Sequence, residues 1–249
     1  MPDANPPHTE DNPEVNAPEA SSAARDASHF PKASHHSLTV RRTARYSLLG
    51  DPDAAHHVFV LHGYGQQASD FLRPFAAIEQ QDRCIIAPEA LSRFYTDDLG
   101  EHEKVGASWM TREAREEEIT DYVAYLDTLA GHLADGASPG ASPRRTVLGF
   151  SQGAATASRW ALLGDTPVDR LVFWAGTPAH ELDLQVHGDA LRKMEPVFVV
   201  GDDDPWITKE RRMQVKHVLE KHGVPFQLRT FDGGHRLSRT TLHDLFSSA

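Results

Sequence analysis

The sequence predicts an α/β protein, an open and mostly parallel sheet with helices on both faces. Three observations carry this reading. Segments such as Val58-Phe-Val-Leu61, Arg83-Cys-Ile-Ile-Ala87 and Leu171-Val-Phe-Trp174 are apolar at nearly every position, as strands are when both faces are covered. Stretches with helical spacing alternate with them, the order expected of repeated strand-helix-strand units. Glycine, histidine, serine and aspartate collect just past several of these runs, and in open parallel sheets the reacting groups lie beyond the carboxyl ends of the strands.

Taken in order, residues 1–36 hold six of the chain's sixteen prolines and, beyond Met1, only Val15 and Phe30 as large apolar side chains. That composition cannot bury enough surface to offset chain entropy, so a disordered tail is expected, followed by one catalytic-size domain over 37–249. The histidines at 29, 35 and 36 read as solvated rather than metal-binding. Ser37 to Leu48 alternates through Leu38, Val40 and Tyr46, which suggests an edge or hairpin strand. The Val58–Leu61 strand runs into His62-Gly-Tyr-Gly65, and Ser69 to Glu79 then places Phe71, Leu72, Phe75 and Ile78 on one helical stripe. Periodicity lapses from Pro88 to Trp109, where Phe94, Tyr95 and Trp109 are candidate walls of a substrate pocket. Thr111 is read as the N-cap of a helix that repeats Ile119, Tyr122, Val123, Leu126, Leu129, Ala130 and Leu133 and stops at Gly136.

After a connector at 137–143 comes Thr146-Val-Leu-Gly-Phe-Ser151-Gln-Gly-Ala-Ala155, which reads as strand, sharp turn and helix with a serine at the turn. The Leu171 strand ends in Ala175-Gly176, and Thr177 to Met194 is weakly patterned. Pro196-Val-Phe-Val-Val200 leads into Gly201-Asp-Asp-Asp-Pro205, and a helix runs from Thr208 to His222. Phe226 to Phe231 leads into Asp232-Gly-Gly-His235, ahead of a final amphipathic helix through Leu242 and Phe246.

Composition narrows the function classes. The net charge of -11 argues against nucleic acid or an anionic membrane as partner. No apolar run approaches the roughly 20 residues that cross a bilayer, nor does the N-terminus have the pattern of a secretory signal, so stable membrane insertion is not expected and the cytoplasm is the expected location. The one cysteine, Cys84, lies in an apolar run and reads as a buried strand residue.

A serine hydroxyl is a poor nucleophile at neutral pH. It needs a base within hydrogen-bond reach, and the base needs a third group to fix its tautomer. Ser151 is the candidate nucleophile. His235, on a glycine turn after the terminal strand, is the candidate base ahead of His243, which sits within the closing helix. Asp204, three residues beyond the strand-ending glycine, is the candidate acid, with Asp202 next. The oxyanion formed during attack needs backbone N–H donors, for which Gln152 at a helix N-terminus and Tyr64 between two glycines are candidates. His62 is expected to brace that loop rather than act as a base.

Together, Leu61-His-Gly-Tyr-Gly65, Gly149-Phe-Ser-Gln-Gly153, Gly201-Asp-Asp-Asp-Pro205 and Gly234-His235 resemble the phospholipase/carboxylesterase family of α/β-hydrolases, over residues from about 55 onward. The resemblance implies an α/β-hydrolase fold and a serine esterase or thioesterase acting on a small-molecule ester, with no metal or cofactor. It implies Ser151, Asp204 and His235 as triad and Tyr64 and Gln152 as oxyanion donors. Two features depart from the family pattern: the tail before residue 37, and Trp206, where smaller apolar side chains usually follow the acid and where it would narrow the acyl pocket. The same triad can run thioester, lysophospholipid or peptide cleavage, or acyl transfer. A binding protein of this fold that had lost catalysis would usually lack a triad member, whereas here all three residue types are present. Oligomeric state is not legible.

Overall fold

The computed structural model describes residues 33–98, 100–134 and 142–247. Residues 42–249 form one compact unit. Of the expected tail, residues 1–32 lie outside the described residues and 33–36 are exposed and without regular structure, as are 37–41, where a strand was expected.

Seven strands build the main sheet: β1 (Tyr46–Leu49), β2 (His56–Leu61), β3 (Arg83–Pro88), β6 (Arg144–Phe150), β7 (Arg170–Trp174), β8 (Val197–Gly201) and β9 (Gln227–Phe231), in the spatial order β1-β3-β2-β6-β7-β8-β9. Every pairing is parallel except β1 with β3, where an antiparallel edge strand closes one side. The α/β fold expected from the apolar runs is the fold observed. β4 (Ser92–Tyr95) and β5 (Val105–Ser108) form a separate antiparallel hairpin.

The helices are α1 (Ala68–Leu72), α2 (Arg115–Ala134), α3 (Gln152–Leu163), α4 (Leu184–Lys193), α5 (Lys209–Lys221) and α6 (Arg239–Ser247). Because side chains alternate along a strand, the sheet feeds two cores. Phe59, Leu61, Val147, Phe173 and Phe198 pack against the faces of α2, α3, α4 and α5. Val58, Val60, Leu148, Val172 and Val199 pack against α1, the turn after it, and α6. Trp160 of α3 is fully buried, lies edge-on to Phe59 at 4.9 Å and donates its Nε1–H to Asp127 Oδ1 at 2.8 Å, so the bulkiest core side chain leaves no polar atom unpaired. Among the described residues no helix is long and apolar enough to cross a membrane.

Local chemistry explains where elements differ from the sequence reading. Leu38 and Val40 stay exposed, and the first strand begins only at Tyr46. The stripe of Phe71, Leu72, Phe75 and Ile78 is buried as expected. Pro74, which has no N–H to give, falls where α1 passes into a 3-10 turn over Arg73–Ile78, so the stripe is carried by two short pieces. Thr111 does not cap α2: its Oγ1 accepts from Glu113 N, Ala114 takes a positive φ, and regular helix starts at Arg115. The expected stop at Gly136 lies outside the described residues. The weakly patterned 177–194 stretch contains α4, capped by Asp183, whose side chain accepts from Gln185 N at 2.8 Å.

The chain leaves β2 toward β3 on one side, then returns to lay β6 on β2's other side. Successive connections therefore diverge at the carboxyl ends of β2 and β6, which opens a crevice there.

Candidate active site

The turn after β6 places Ser151 at that crevice. Its φ of 54° and ψ of -116° are rare for a residue with a Cβ and hold its side chain off the end of the sheet. Two glycines make the turn possible. A Cβ on Gly149 would fall 2.1 Å from Gly153 O, and one on Gly153 would fall 2.2 Å from Leu61 O, so strand, helix and neighbouring strand approach as glycine backbone alone allows. Ser151 N donates to Trp174 O at 2.9 Å and fixes the turn against β7.

His235 and Asp204 arrive from the last two strands. Asp202 N donates to Phe231 O at 2.9 Å and Asp203 N to Gly233 O at 3.0 Å, so the turns after β8 and β9 are bonded backbone to backbone. A Cβ on Gly201 would lie 2.1 Å from Gly233 O, which keeps them in contact. Asp202 and Asp203 face solvent, while the side chain of Asp204 is fully buried. Its Oδ1 accepts from Trp206 N at 2.8 Å and Ile207 N at 3.0 Å, and its Oδ2 accepts from His235 Nδ1 at 2.9 Å. A carboxylate offers no proton, so Nδ1 carries the hydrogen and Nε2 is left to accept. Nε2 lies 2.9 Å from Ser151 Oγ. Three side chains thus form one continuous hydrogen-bonded line across β7, from β8 to β6, a span of roughly 10 Å at the usual strand spacing.

Phe150, which the sequence reading did not single out, packs its ring 5.0 Å from that of His235 and limits its swing. Trp174 Nε1 donates to Arg236 O at 3.0 Å and holds the residue after the histidine. The signal for Phe150 was its place beside Ser151 in the motif; nothing in the sequence marked Trp174 apart from other core aromatics.

Two backbone amides, those of Gln152 and Tyr64, are the expected oxyanion donors. Gln152 N is the first N–H of α3, and first-turn amides have no partner within their helix. Its side chain acts elsewhere, with Oε1 accepting from Trp109 N at 3.1 Å and Nε2 donating to Met110 O at 2.9 Å, and so ties the chain after β5 to the turn. Tyr64 sits in the loop after β2. Gly63 N donates to Gln66 Oε1 at 2.8 Å and Gly65 N to Ala107 O at 2.9 Å, so the loop is held on both sides of Tyr64. His62 is fully buried. Its Nδ1–H donates to Gly63 O at 2.8 Å and its Nε2 accepts from Ala90 N at 3.1 Å, an arrangement only a neutral ring can make. Burial lowers its pKa in the same sense. His62 therefore braces the loop.

The four candidate pocket residues are placed apart. Alternation along β4 sends Phe94 against the Tyr64 ring at 5.2 Å and Tyr95 against His102 at 4.6 Å. Trp109 is buried in the core and donates its Nε1–H to His62 O at 2.9 Å. Trp206 stands exposed beside the acid. Among the described residues there is no cluster of His, Cys, Asp and Glu able to hold a metal.

Among known structures, the Zea mays acyl-protein thioesterase 2 superposes with a TM-score of 0.62 at 16% identity, covering 83% of this chain and 97% of that one. A carboxylesterase from Mesorhizobium loti gives 0.60 at 17% identity with 83% and 95% covered. The Bacillus cereus carboxylesterase gives 0.57 at 14% identity with 82% and 92% covered. At such identities the likeness is one of fold. No curated protein matches the sequence. A family model described as "Serine hydrolase (FSH1)" matches residues 53–243. The expected kinship with serine hydrolases stands at that level: the chain belongs to the serine hydrolase (FSH1) family.

Proposed function

We propose that the protein is a serine esterase of the carboxylesterase or thioesterase type, cleaving a small-molecule ester through an acyl-enzyme on Ser151. One observation carries the reading: the unbroken line from Asp204 through His235 to Ser151, with both outer hydrogen bonds at 2.9 Å. In this mechanism Ser151 Oγ attacks the carbonyl carbon as His235 Nε2 takes its proton. Asp204 stays ionised, held by two backbone amides, and stabilises the imidazolium through Nδ1–H. The carbonyl oxygen, now an oxyanion, accepts from the amides of Gln152 and Tyr64, each worth roughly 3 kcal/mol in such sites. His235 returns the proton to the leaving alcohol or thiol, and water, deprotonated by the same imidazole, then releases the acid and restores the serine. Fixing the Tyr64 loop through His62, Gln66 and Ala107 keeps that donor from reorganising during the reaction, the property that makes oxyanion donors effective.

The test is covalent labelling. A fluorophosphonate probe should mark the protein once per chain and leave Ser151→Ala unmarked, while a panel of p-nitrophenyl esters, one thioester and one peptide amide ranks the leaving groups. Labelling of Ser151→Ala at an unchanged rate, or a wild-type protein inert to probe and panel alike, rejects the proposal.

A further inference from the structure

The face of the sheet that packs on α6 begins with a row of cations. Side chains alternate along a strand, so Arg83, His56, Arg144 and Arg170 share that face with Ile85, Val58, Leu148 and Val172 of its core. Register sets them side by side. His56 lies opposite Arg83 of β3 and opposite Arg144 of β6, and Arg170 of β7 lies opposite Thr146, whose hydroxyl is 2.9 Å from His56 Nε2. Two of these guanidiniums hold the carboxyl end of α6. Arg83 and Arg170 stand 5.2 and 5.8 Å from the centre of the Phe246 ring and donate to Phe246 O and Leu245 O, both at 3.3 Å. Arg144 is exposed and its guanidinium bonds nothing among the described residues, while Arg83 Nε is buried and likewise without a partner.

This arrangement is unlike the rest of the chain. Acidic side chains outnumber Lys and Arg by 36 to 25, and arginines elsewhere meet them closely, as Arg45 meets Glu89 and Arg159 meets Glu181, each at 2.6 Å. Along the row, among the described residues, no carboxylate comes within ion-pair distance. The acids that act on it, Asp82 on His56 and Arg83 and Glu195 on Arg170, are exposed and stand farther off. The guanidiniums therefore repel one another. After burial, it is Arg144 that lowers the pKa of Arg83, and Arg144 with Arg229 of the edge strand that lower the pKa of Arg170.

We infer that Arg144 and Arg170, backed by the buried charge of Arg83, bind a phosphate group, free or as a monoester. Phosphate suits the row in charge and in shape. Near pH 7 it carries close to two negative charges, so it offsets more than one guanidinium where a carboxylate offsets one. Its oxygens also match the forked N–H groups of arginine two at a time. A long polyanion is disfavoured, because beyond a screening length of roughly 8 Å it would meet a chain whose net charge is -11. The site is separate from the nucleophile and does not depend on the esterase reading: β6 starts at Arg144 and ends one residue before Ser151, a distance of about 20 Å at the usual rise per residue.

The experiment is a calorimetric titration of the full chain with inorganic phosphate at pH 7 and low ionic strength. One saturable site is expected, weakened roughly tenfold or more in Arg144→Gln by the loss of a charged hydrogen-bonding partner. Because the Arg144 side chain bonds nothing in the fold, this variant should keep the wild-type melting midpoint and the wild-type rate on p-nitrophenyl butyrate. The His56 ring, between Arg83 and Arg144, gives an independent readout. Its proton NMR signals, assigned with His56→Gln, should move on adding phosphate to the wild type and stay in place in Arg144→Gln. Phenyl phosphate separates the two sources, since affinity at or above that of inorganic phosphate supports a monoester and lower affinity supports the free ion. Absence of a saturable site, binding undiminished in Arg144→Gln, or acetate bound as tightly as phosphate overturns the inference. None of these results bears on the esterase reading, and a protein inert to esters leaves this test unaffected.

Discussion

Replacing Asp204 by asparagine tests the relay through the orientation of one amide. In the wild type, Oδ1 accepts from Trp206 N and Ile207 N, and Oδ2 faces His235 Nδ1. An asparagine of the same shape can keep its oxygen on the two backbone donors only by turning its NH2 toward His235. The ring must then accept at Nδ1 and carry its hydrogen on Nε2, where it can no longer take the serine proton. Turning the amide over restores the tautomer but aims an NH2 at two N–H groups inside a buried turn. Two lost bonds at roughly 1–3 kcal/mol each give about 4 kcal/mol. At 1.36 kcal/mol per tenfold, that leaves about one molecule in a thousand with a productive histidine. Losing the charge that stabilises the imidazolium enlarges the effect, and the same change in a serine-protease triad costs about 10⁴. The expected loss in kcat on p-nitrophenyl butyrate is therefore 10³ to 10⁴, with the circular dichroism spectrum and melting midpoint near wild type. Asp202→Asn, on an exposed carboxylate, should fall by less than a factor of about two, since surface changes leave such sites almost untouched. An Asp204→Asn enzyme within tenfold of wild type, or an Asp202→Asn enzyme that loses more, refutes the assignment.

Three further outcomes are expected. Ser151→Gly should abolish hydrolysis yet melt higher. Relief of the positive φ gives about 1–3 kcal/mol, less the roughly 0.5–1 kcal/mol of added freedom in the unfolded chain, and calorimetry should show a rise of a few degrees; a lower midpoint contradicts the strain. His56 has its pKa lowered to about 4 by burial and by Arg83, Arg144 and Arg170. The unfolded chain therefore binds the proton first, and stability that is full above about 6.5 declines as pH falls toward 4. With a partly buried ring the decline is on the order of 1–2 kcal/mol after solvent screening. Denaturant titrations of His56→Gln should show a shallower slope across that window, and an unchanged slope removes His56 as the cause. Cys84 is buried with its thiol pushed up to about 11, chiefly by desolvation. A disulfide reagent at neutral pH should titrate no thiol in the native protein and one after denaturation.

Much of the fold could be read because buried parallel strands leave a continuous apolar trace. Val58–Leu61 and Leu171–Trp174 stand out for that reason, and Ser151 stands at the end of such a trace, whereas His235 follows the mostly exposed edge strand Gln227–Phe231 and was marked by its glycine turn. Asp204 was harder to separate from its neighbours, because three consecutive aspartates share one composition. What distinguishes it is that its turn buries one carboxylate against Trp206 N and Ile207 N and leaves the other two in water. The hairpin of β4 and β5 escaped the sequence reading because Phe94 finds its partner in Tyr64, thirty residues earlier. In α4, only Gly188 and Leu191 are buried, too few to mark a stripe, and the readable signal was the Asp183 cap.

The backbone bonds between the turns after β8 and β9 set how this site can fail. Because Asp203 N is bonded to Gly233 O and Gly201 leaves no gap, acid and base behave as one rigid body. The elbow belongs to a second body, built on β2, β6 and α3. β7 is the seam between them, joined on one side through Trp174 O to Ser151 N and on the other through Trp174 Nε1 to Arg236 O. The soft coordinate of the relay is therefore the gap between His235 and Ser151. A substitution at Trp174, which touches neither the proton nor the substrate, would misalign the reaction while leaving the aspartate–histidine pair whole.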